Sequence, residues 1–133
     1  MMKVIVCLDD KNVMLFGNRR QRRDRIVIED ICKMTDALSI HAFSEKLFLE
    51  STVQFNVKDD FLKEATSGEY CFVENQCLVD YEDEIEEIIA YYWNRVYPSD
   101  KRLDISLASW KMVSEEEFAG YSHEKITKRI YRR

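Results

Sequence analysis

Five arginines fall within seven positions of an acidic chain: Arg19, Arg20, Arg22, Arg23 and Arg25, against a net charge of −5. Always-charged groups set that close repel one another and are stabilised by nearby anions. Their planar forks match phosphate and carboxylate oxygens with two hydrogen bonds at once. Asp24 interrupts the run and is placed to cap a helix, and a helix N-terminus also favours anions. The pattern therefore points to Arg19, Arg20, Arg22 and Arg23 as a loop that holds a nucleotide or another phosphate-bearing small molecule. In that arrangement Asp24 fixes a sugar or base edge. The same residues also allow a non-catalytic interaction protein, in which the loop meets an acidic surface. That surface is the stretch Asp80–Glu87 of the same chain, a second copy in a homo-oligomer, or a partner. RNA binding through the loop is a third, weaker reading, since the overall charge is negative.

Two residues are candidates for proton transfer, Asp24 and His41. His41 lies near the end of a predicted strand, and an imidazole there can act as acid or base near neutral pH. Asp9, Asp10 and Lys11 follow the first predicted strand, where ligands of open α/β sheets sit. They are candidates for the same rim. His123 is adjacent to Ser122, but neighbours in sequence do not orient one another as nucleophile and base. A turn with local hydrogen bonds explains them more simply. No metal site is expected. Cys7, Cys32, Cys71 and Cys77 lack paired short spacing with one another or with the two histidines. The acidic stretch 80–87 lacks the spacing and glycine of a calcium loop and reads as a solvated face. The cofactor stays unassigned, and the residues leave catalysis open. Tyr91, Tyr92, Trp93, Tyr97 and Trp110 form a dense aromatic group. In a strand, Tyr91, Trp93 and Arg95 share one face that suits either core packing or base stacking.

The elements that position these residues alternate. Residues 3–8 and 38–43 read as strands, the first apolar at nearly every position and so covered on both faces. Asp24 begins a helix to about Thr35, with Ile28, Ile31, Cys32 and Met34 on one face. Ser44 caps a brief helix. Residues 53–57 and 69–74 read as strands, with a short helix over 59–66 between them, closed by Gly68. An acidic helical turn spans 80–88. Residues 88–98 favour a strand by their β-branched and aromatic content, though a helix face also fits. Residues 109–118 follow, and 124–133 fit strand or helix. The order predicts an α/β fold. It is a three-layer sandwich with a mostly parallel central sheet, short flanking helices and a closing antiparallel strand pair.

The 133 residues suit one domain, 1–133, and 46% hydrophobic content with 12% aromatics excludes a disordered chain. Three glycines and one proline exclude collagen-like and linker-rich architectures. No apolar run approaches the roughly 18 residues of a membrane span. The start, MMKVIVCLDD, lacks the features of a secretion signal. A cytoplasmic location without membrane association is expected.

The element order resembles dihydrofolate reductase in reduced form. IAYYWNRVYPSD, WKMVSEEEF and ITKRIYRR look like its last three strands, with Ser122 and His123 in the loop before the last. KVIVCLDDKNVMLFGN is similar to its first strand and the loop that crosses its active site. The resemblance implies that Asp24 stands at the family's pocket-facing, folate-binding carboxylate. Other family features are replaced. A Trp precedes the family's carboxylate, whereas Arg19 to Arg23 stand here. Its Gly-Arg-x-Thr turn is replaced by Ala42-Phe43-Ser44-Glu45. Its paired glycines after the fifth strand are replaced by Val73-Glu74-Asn75, whose side chains crowd the backbone that a nicotinamide cofactor approaches. These changes argue against hydride transfer. The chain is also similar to small bacterial proteins that share NRRQ-x-RDR and YSHEKITK, some of them labelled ribonuclease Z. That enzyme needs an HxHxDH metal cluster, which two distant histidines cannot form.

Overall fold

The structure is a computed structural model that describes residues 2–9, 13–16, 19–20, 24–35, 37–41, 44–48, 54–58, 60–63, 65, 68–74, 76–94, 101–121 and 123–132. Seven strands form the main sheet: β1 (Met2–Leu8), β4 (Ala37–Ile40), β5 (Gln54–Val57), β6 (Tyr70–Phe72), β7 (Ile85–Tyr92), β9 (Lys111–Phe118) and β10 (Ile126–Arg132). Their order across the sheet is β5-β4-β6-β1-β7-β10-β9. The first five in that order run parallel, and β10 pairs antiparallel with both β7 and β9. The sheet is thus mostly parallel with a C-terminal antiparallel pair, as the element order implies.

Strand alternation divides the core into two. Met2, Val4, Val6 and Leu8 of β1 join Ile88 and Ala90 of β7 on one face. Ile5 joins Ile89, Tyr91 and Trp93 on the other. Both faces of the central strands are covered, which is why their sequences are apolar nearly throughout. The same two-sided burial settles residues 88–92 as strand. Tyr91 and Trp93 both pack in the core, which fits the burial reading of the aromatic group. Residues 126–132 are strand as well.

The helix α1 (Arg25–Met34) covers the second face with Val27 and Ile31, residues one turn apart on its apolar stripe. The short α2 (Glu45–Phe48) adds Phe48 there, set edge-on against Phe72. Each such buried side chain contributes about 1.5–3 kcal/mol relative to exposure. The first face is covered differently. Phe61, Leu62, Leu78, Leu103, Ile105 and Trp110 come from turns and connections, with 3-10 helices at Val79–Glu84 and Leu107–Ser109. Among the described residues no α-helix covers this face. The expected helix over 59–66 is a turn at 60–63, although Gly68 does take a left-handed φ of 81°. The expected acidic helical turn is the 3-10 helix, and β7 starts at Ile85, inside the stretch assigned to it.

The segment expected to be a loop holds a second, small sheet. β2 (Val13–Phe16) lies between β3 (Arg19–Arg20) and β8 (Lys101–Arg102), antiparallel to both. Strands of two residues carry no readable period, so sequence patterning cannot detect them. No described helix is long and apolar enough to cross a membrane.

Candidate functional site

The parallel strands β4, β6, β1 and β7 end side by side, and polar residues follow each end. His41 follows β4 and is half-buried. Val73 and Glu74 follow β6, Asp9 follows β1, and Trp93 and Asn94 follow β7. The sheet ladder continues briefly past the strands: Val73 donates its N–H to Ile5 O, and Trp93 to Leu8 O, each at 2.9 Å. These ends therefore sit in one row, with α1 beginning above them.

Three carboxylates are buried along this row: Asp9 at 0%, Asp24 at 1% and Glu74 at 8% exposure. Ser44, at the start of α2, donates its hydroxyl to Glu74 Oε1 at 2.7 Å. Its backbone N–H donates to His41 O at 2.9 Å. One short link thus joins the ends of β4 and β6. Cys7, near the end of β1, is within electrostatic reach of two of these carboxylates. Burial pushes its thiol well above the usual range, and the Glu74 and Asp24 carboxylates push it further. A thiol so held stays protonated and is no nucleophile. Among the described residues no His, Cys, Asp and Glu cluster could hold a metal ion.

Asp24 is the most heavily bonded of these groups. Its Oδ1 accepts from Ile26 N at 3.0 Å, which caps α1, and from Tyr121 N at 2.9 Å. Its Oδ2 accepts from His123 N at 3.0 Å and faces His123 Nδ1 at 3.2 Å. Backbone donors thus point at both oxygens, and Oδ2 meets the backbone and the ring of the same residue, His123. The helix N-terminus is filled by its own cap. The His123 ring stacks on Trp93, centroids 4.4 Å apart and planes 14° off parallel. Among the described residues, Trp93 Nε1 is buried with no hydrogen-bond partner. Arg25 lies over the Tyr121 ring at 4.0 Å, closing the turn from outside. Gly120 permits the close approach: a Cβ there would stand 2.6 Å from Asp24 Oδ2.

A neighbouring group is built from the same elements. Tyr91 donates its hydroxyl to Asp30 Oδ2 at 2.6 Å, and Lys128 Nζ reaches the same oxygen at 2.8 Å. Burial and the Asp30 contact raise the Tyr91 phenol far above its ordinary range. Beyond β7, Asn94 adopts φ 59° and donates to Lys125 O and Thr127 Oγ1, which ties that strand end to β10.

Of the candidate residues, the structure brings Asp24 and His41 to the same end of the sheet. Asp9 lies there too, while Asp10 and Lys11 are outside the described residues. Arg19 and Arg20 form β3, so the expected loop is in part a paired strand: Phe16 lies opposite Arg19, and Leu15 opposite Arg20. Arg22, Arg23, Arg95, Tyr97 and Ser122 are outside the described residues. Glu74 and Ser44 escaped the sequence reading as a pair, because they are 30 positions apart. The Asp24–His123 pair, 99 positions apart, escaped it for the same reason.

No protein-family model and no curated protein sequence matches the chain. Among solved structures it is similar to dihydrofolate reductase from Enterococcus faecalis in complex with NADP(H) and RAB-propyl. The TM-score is 0.69 at 12% identity, over 100% of this chain and 96% of that one. At that identity the likeness concerns the backbone, and the fold of this chain is dihydrofolate reductase-like.

Proposed function

We propose that the chain binds a nucleotide or a similar phosphate-bearing small molecule at the C-terminal ends of β1, β4, β6 and β7. Arg19, Arg20, Arg22 and Arg23 hold the phosphate in this reading, and no reaction is assigned. The observation that carries it is the nearness in the chain of a strand of arginines, β3, to the capping residue Asp24. Buried acceptors line the row from His41 to Asp24, and a strand of arginines, β3, ends four residues before Asp24. The carboxylates are partnered within the fold, so the ligand contact assigned to charge is that of phosphate with the arginines, and His41 at the half-buried end of β4 lies on the rim. Asp24 acts as a positioning residue that sets the start of α1 and the 120–123 turn. His41 serves as a rim donor or acceptor.

The residues after β6 do not fit a nicotinamide cofactor in the way a glycine pair would. Val73 and Glu74 are side-chain-bearing and buried there, and the Glu74 carboxylate accepts from Ser44. A carboxylate at that position repels a phosphate brought close to it. Reduction by hydride transfer is therefore not part of the proposal.

Thermal unfolding against a ligand panel tests it. The panel holds NADPH, folates, mono-, di- and cyclic nucleotides, inorganic phosphate and short RNA. A ligand at 100 times its dissociation constant adds about 2.7 kcal/mol, a shift of several degrees at this size. The expected result is a selective shift from a nucleotide, lost in Arg20→Ala/Arg23→Ala. A flat panel overturns the reading. A changed elution mass in that variant would favour the interaction protein instead.

A further inference from the structure

β9 stands apart from both halves of the core. Every residue from Lys111 to Glu117 is exposed, and Phe118 is half-buried. The strand ends the main sheet and pairs with β10 on its inner side. Among the described residues no strand pairs with its outer side, so a row of backbone N–H and C=O groups faces outward there. Sheet edges are commonly kept short, and the opposite edge is: β5 has four residues. β9 has eight. Two of the five large apolar side chains exposed among the described residues lie on it, Met112 at 47% and Val113 at 43%.

Charge is divided along this strand, with Lys111 at its start and Glu115, Glu116 and Glu117 towards its end. Glu115 is held by Arg129 and Glu117 by Lys125. Among the described residues Lys111 and Glu116 enter no ion pair. Lys111 stands opposite a like charge, Arg132, and Glu116 stands opposite Lys128, whose Nζ is taken by Asp30. The ladder skips Val113, pairing Ser114 with Ile130 and Met112 with Tyr131. That extra residue resets the alternation of the strand. Arg132 and Lys128 share a face of β10, so their opposites Lys111 and Glu116 share that face too.

The strand is therefore complementary to itself in one orientation. An antiparallel copy, related by a two-fold axis between Val113 and Ser114, sets Lys111 of each chain opposite Glu116 of the other. It also gathers Met112 and Val113 of both chains at the centre, an apolar middle with a charged rim. A parallel copy would set cation on cation and carboxylate on carboxylate. We infer that β9 is a self-association edge, on which a second copy of this chain adds its own β9 antiparallel. The pairing is isologous and consumes both long edges, so it closes at two copies. One strand from each chain makes a small contact, so the pair is concentration-dependent. The inference is independent of the phosphate-binding reading and stands or falls without it.

Sedimentation equilibrium of the full chain, from micromolar to millimolar concentration, tests it. The expected mass rises from 15.9 kDa towards twice that value. Lys111→Glu and Glu116→Lys should each weaken association by about tenfold or more, since each turns two attractive cross-strand pairs into repulsive ones. An equimolar mixture of the two variants should associate again, because one then offers two carboxylates where the other offers two cations. Unfolding midpoints measured alongside show that each variant folds. Lys111→Gln and Glu116→Gln, with smaller expected losses, replace any variant that does not. A chain that stays monomeric throughout overturns the inference. A dimer that the variants leave unchanged lies on another surface and overturns it as well. Weakened variants whose mixture stays monomeric rule out the antiparallel pairing, and growth beyond two copies rules out the closed pair.

Discussion

Asp24 and Arg20 are four residues apart, and the structure uses them in opposite ways. Asp24 is buried, and its two oxygens meet Ile26 N, Tyr121 N, His123 N and the His123 ring. Arg20 lies in a two-residue strand, β3, opposite Leu15 and at the border of the small sheet. Hydrogen-bond capacity spent inside the fold is unavailable to a ligand, whereas a run of like charges in sequence is relieved by an anion. The contrast teaches that the salient carboxylate of the sequence is committed to the fold, so that any binding role proposed for this region falls to the cations beside it.

The sharpest way to break this contrast is Asp24→Ala. It removes the helix cap and strands three backbone N–H groups and a histidine in a buried place. The expected loss is about 3 kcal/mol or more, with a melting point lower by about 10 °C. Asp24→Asn keeps an acceptor but sets an NH₂ against an N–H donor, so it also destabilises. Urea unfolding of both measures this. An Asp24→Asn protein of wild-type stability that no longer binds ligand would show that the carboxylate faces the ligand after all.

Gly120→Ala attacks the same knot from the backbone. The added Cβ would stand 2.7 Å from His123 O and from Ile126 Cδ1, besides its contact with Asp24. Backbone and a buried aliphatic group cannot both yield, so a cost of about 2 kcal/mol is expected. A midpoint unchanged within error would mean that the 120–123 turn is slack, and the organising role of Asp24 would weaken with it.

Much of this architecture was legible in the chain. The two-sided apolar run of residues 3–8, the alternation at 53–57 and the Asp24 cap each express a local rule that the fold obeys, and β1, β5 and α1 follow them. The covering of the first face was not legible, because Phe61, Leu62, Leu103 and Ile105 sit in connections with no period. The site was legible by half. Asp24 declares itself by its place before a helix. Its partner His123, and the Ser44 hydroxyl on Glu74, depend on chain reversals that no local pattern records. Lys101 and Arg102 carry no local signal, and only strand pairing puts them across from Leu15 and Val13.

The Tyr91–Asp30–Lys128 group offers a smaller test on the organised side. Tyr91→Phe removes one hydrogen bond, at a cost of about 1 kcal/mol near neutral pH. The pH dependence carries the sign. The folded phenol titrates above its unfolded value of about 10, so its contribution is intact below that pH. It is lost as pH rises further, because the unfolded chain ionises first. Wild type should then lose stability with a slope steeper by about 1.4 kcal/mol per pH unit than Tyr91→Phe above pH 10. Tyr92, also raised by burial and its Tyr131 contact, still titrates in both proteins and cancels in the comparison. Parallel slopes would mean that Tyr91 titrates as it does in the unfolded chain.

The smallest expected change in stability is at the cations of the small sheet, and it decides between the two uses of charge. Arg20→Ala combined with Lys101→Ala removes one cation from each outer strand, both opposite Leu15. If these groups serve the fold, the variant loses stability at every salt concentration. If they are gathered for a ligand, its unfolding free energy stays within about 0.5 kcal/mol of wild type. Relief of repulsion should then make it slightly more stable at low salt, an advantage that fades as screening shortens the reach of charge. Adding a nucleotide that shifts wild type in the ligand panel should reverse the order, since wild type gains more stability from the anion. Asp24→Asn should show the complement, a lower midpoint that the nucleotide still raises. A crossing of the two pairs of curves separates a residue that builds the site from residues that the site exists to present.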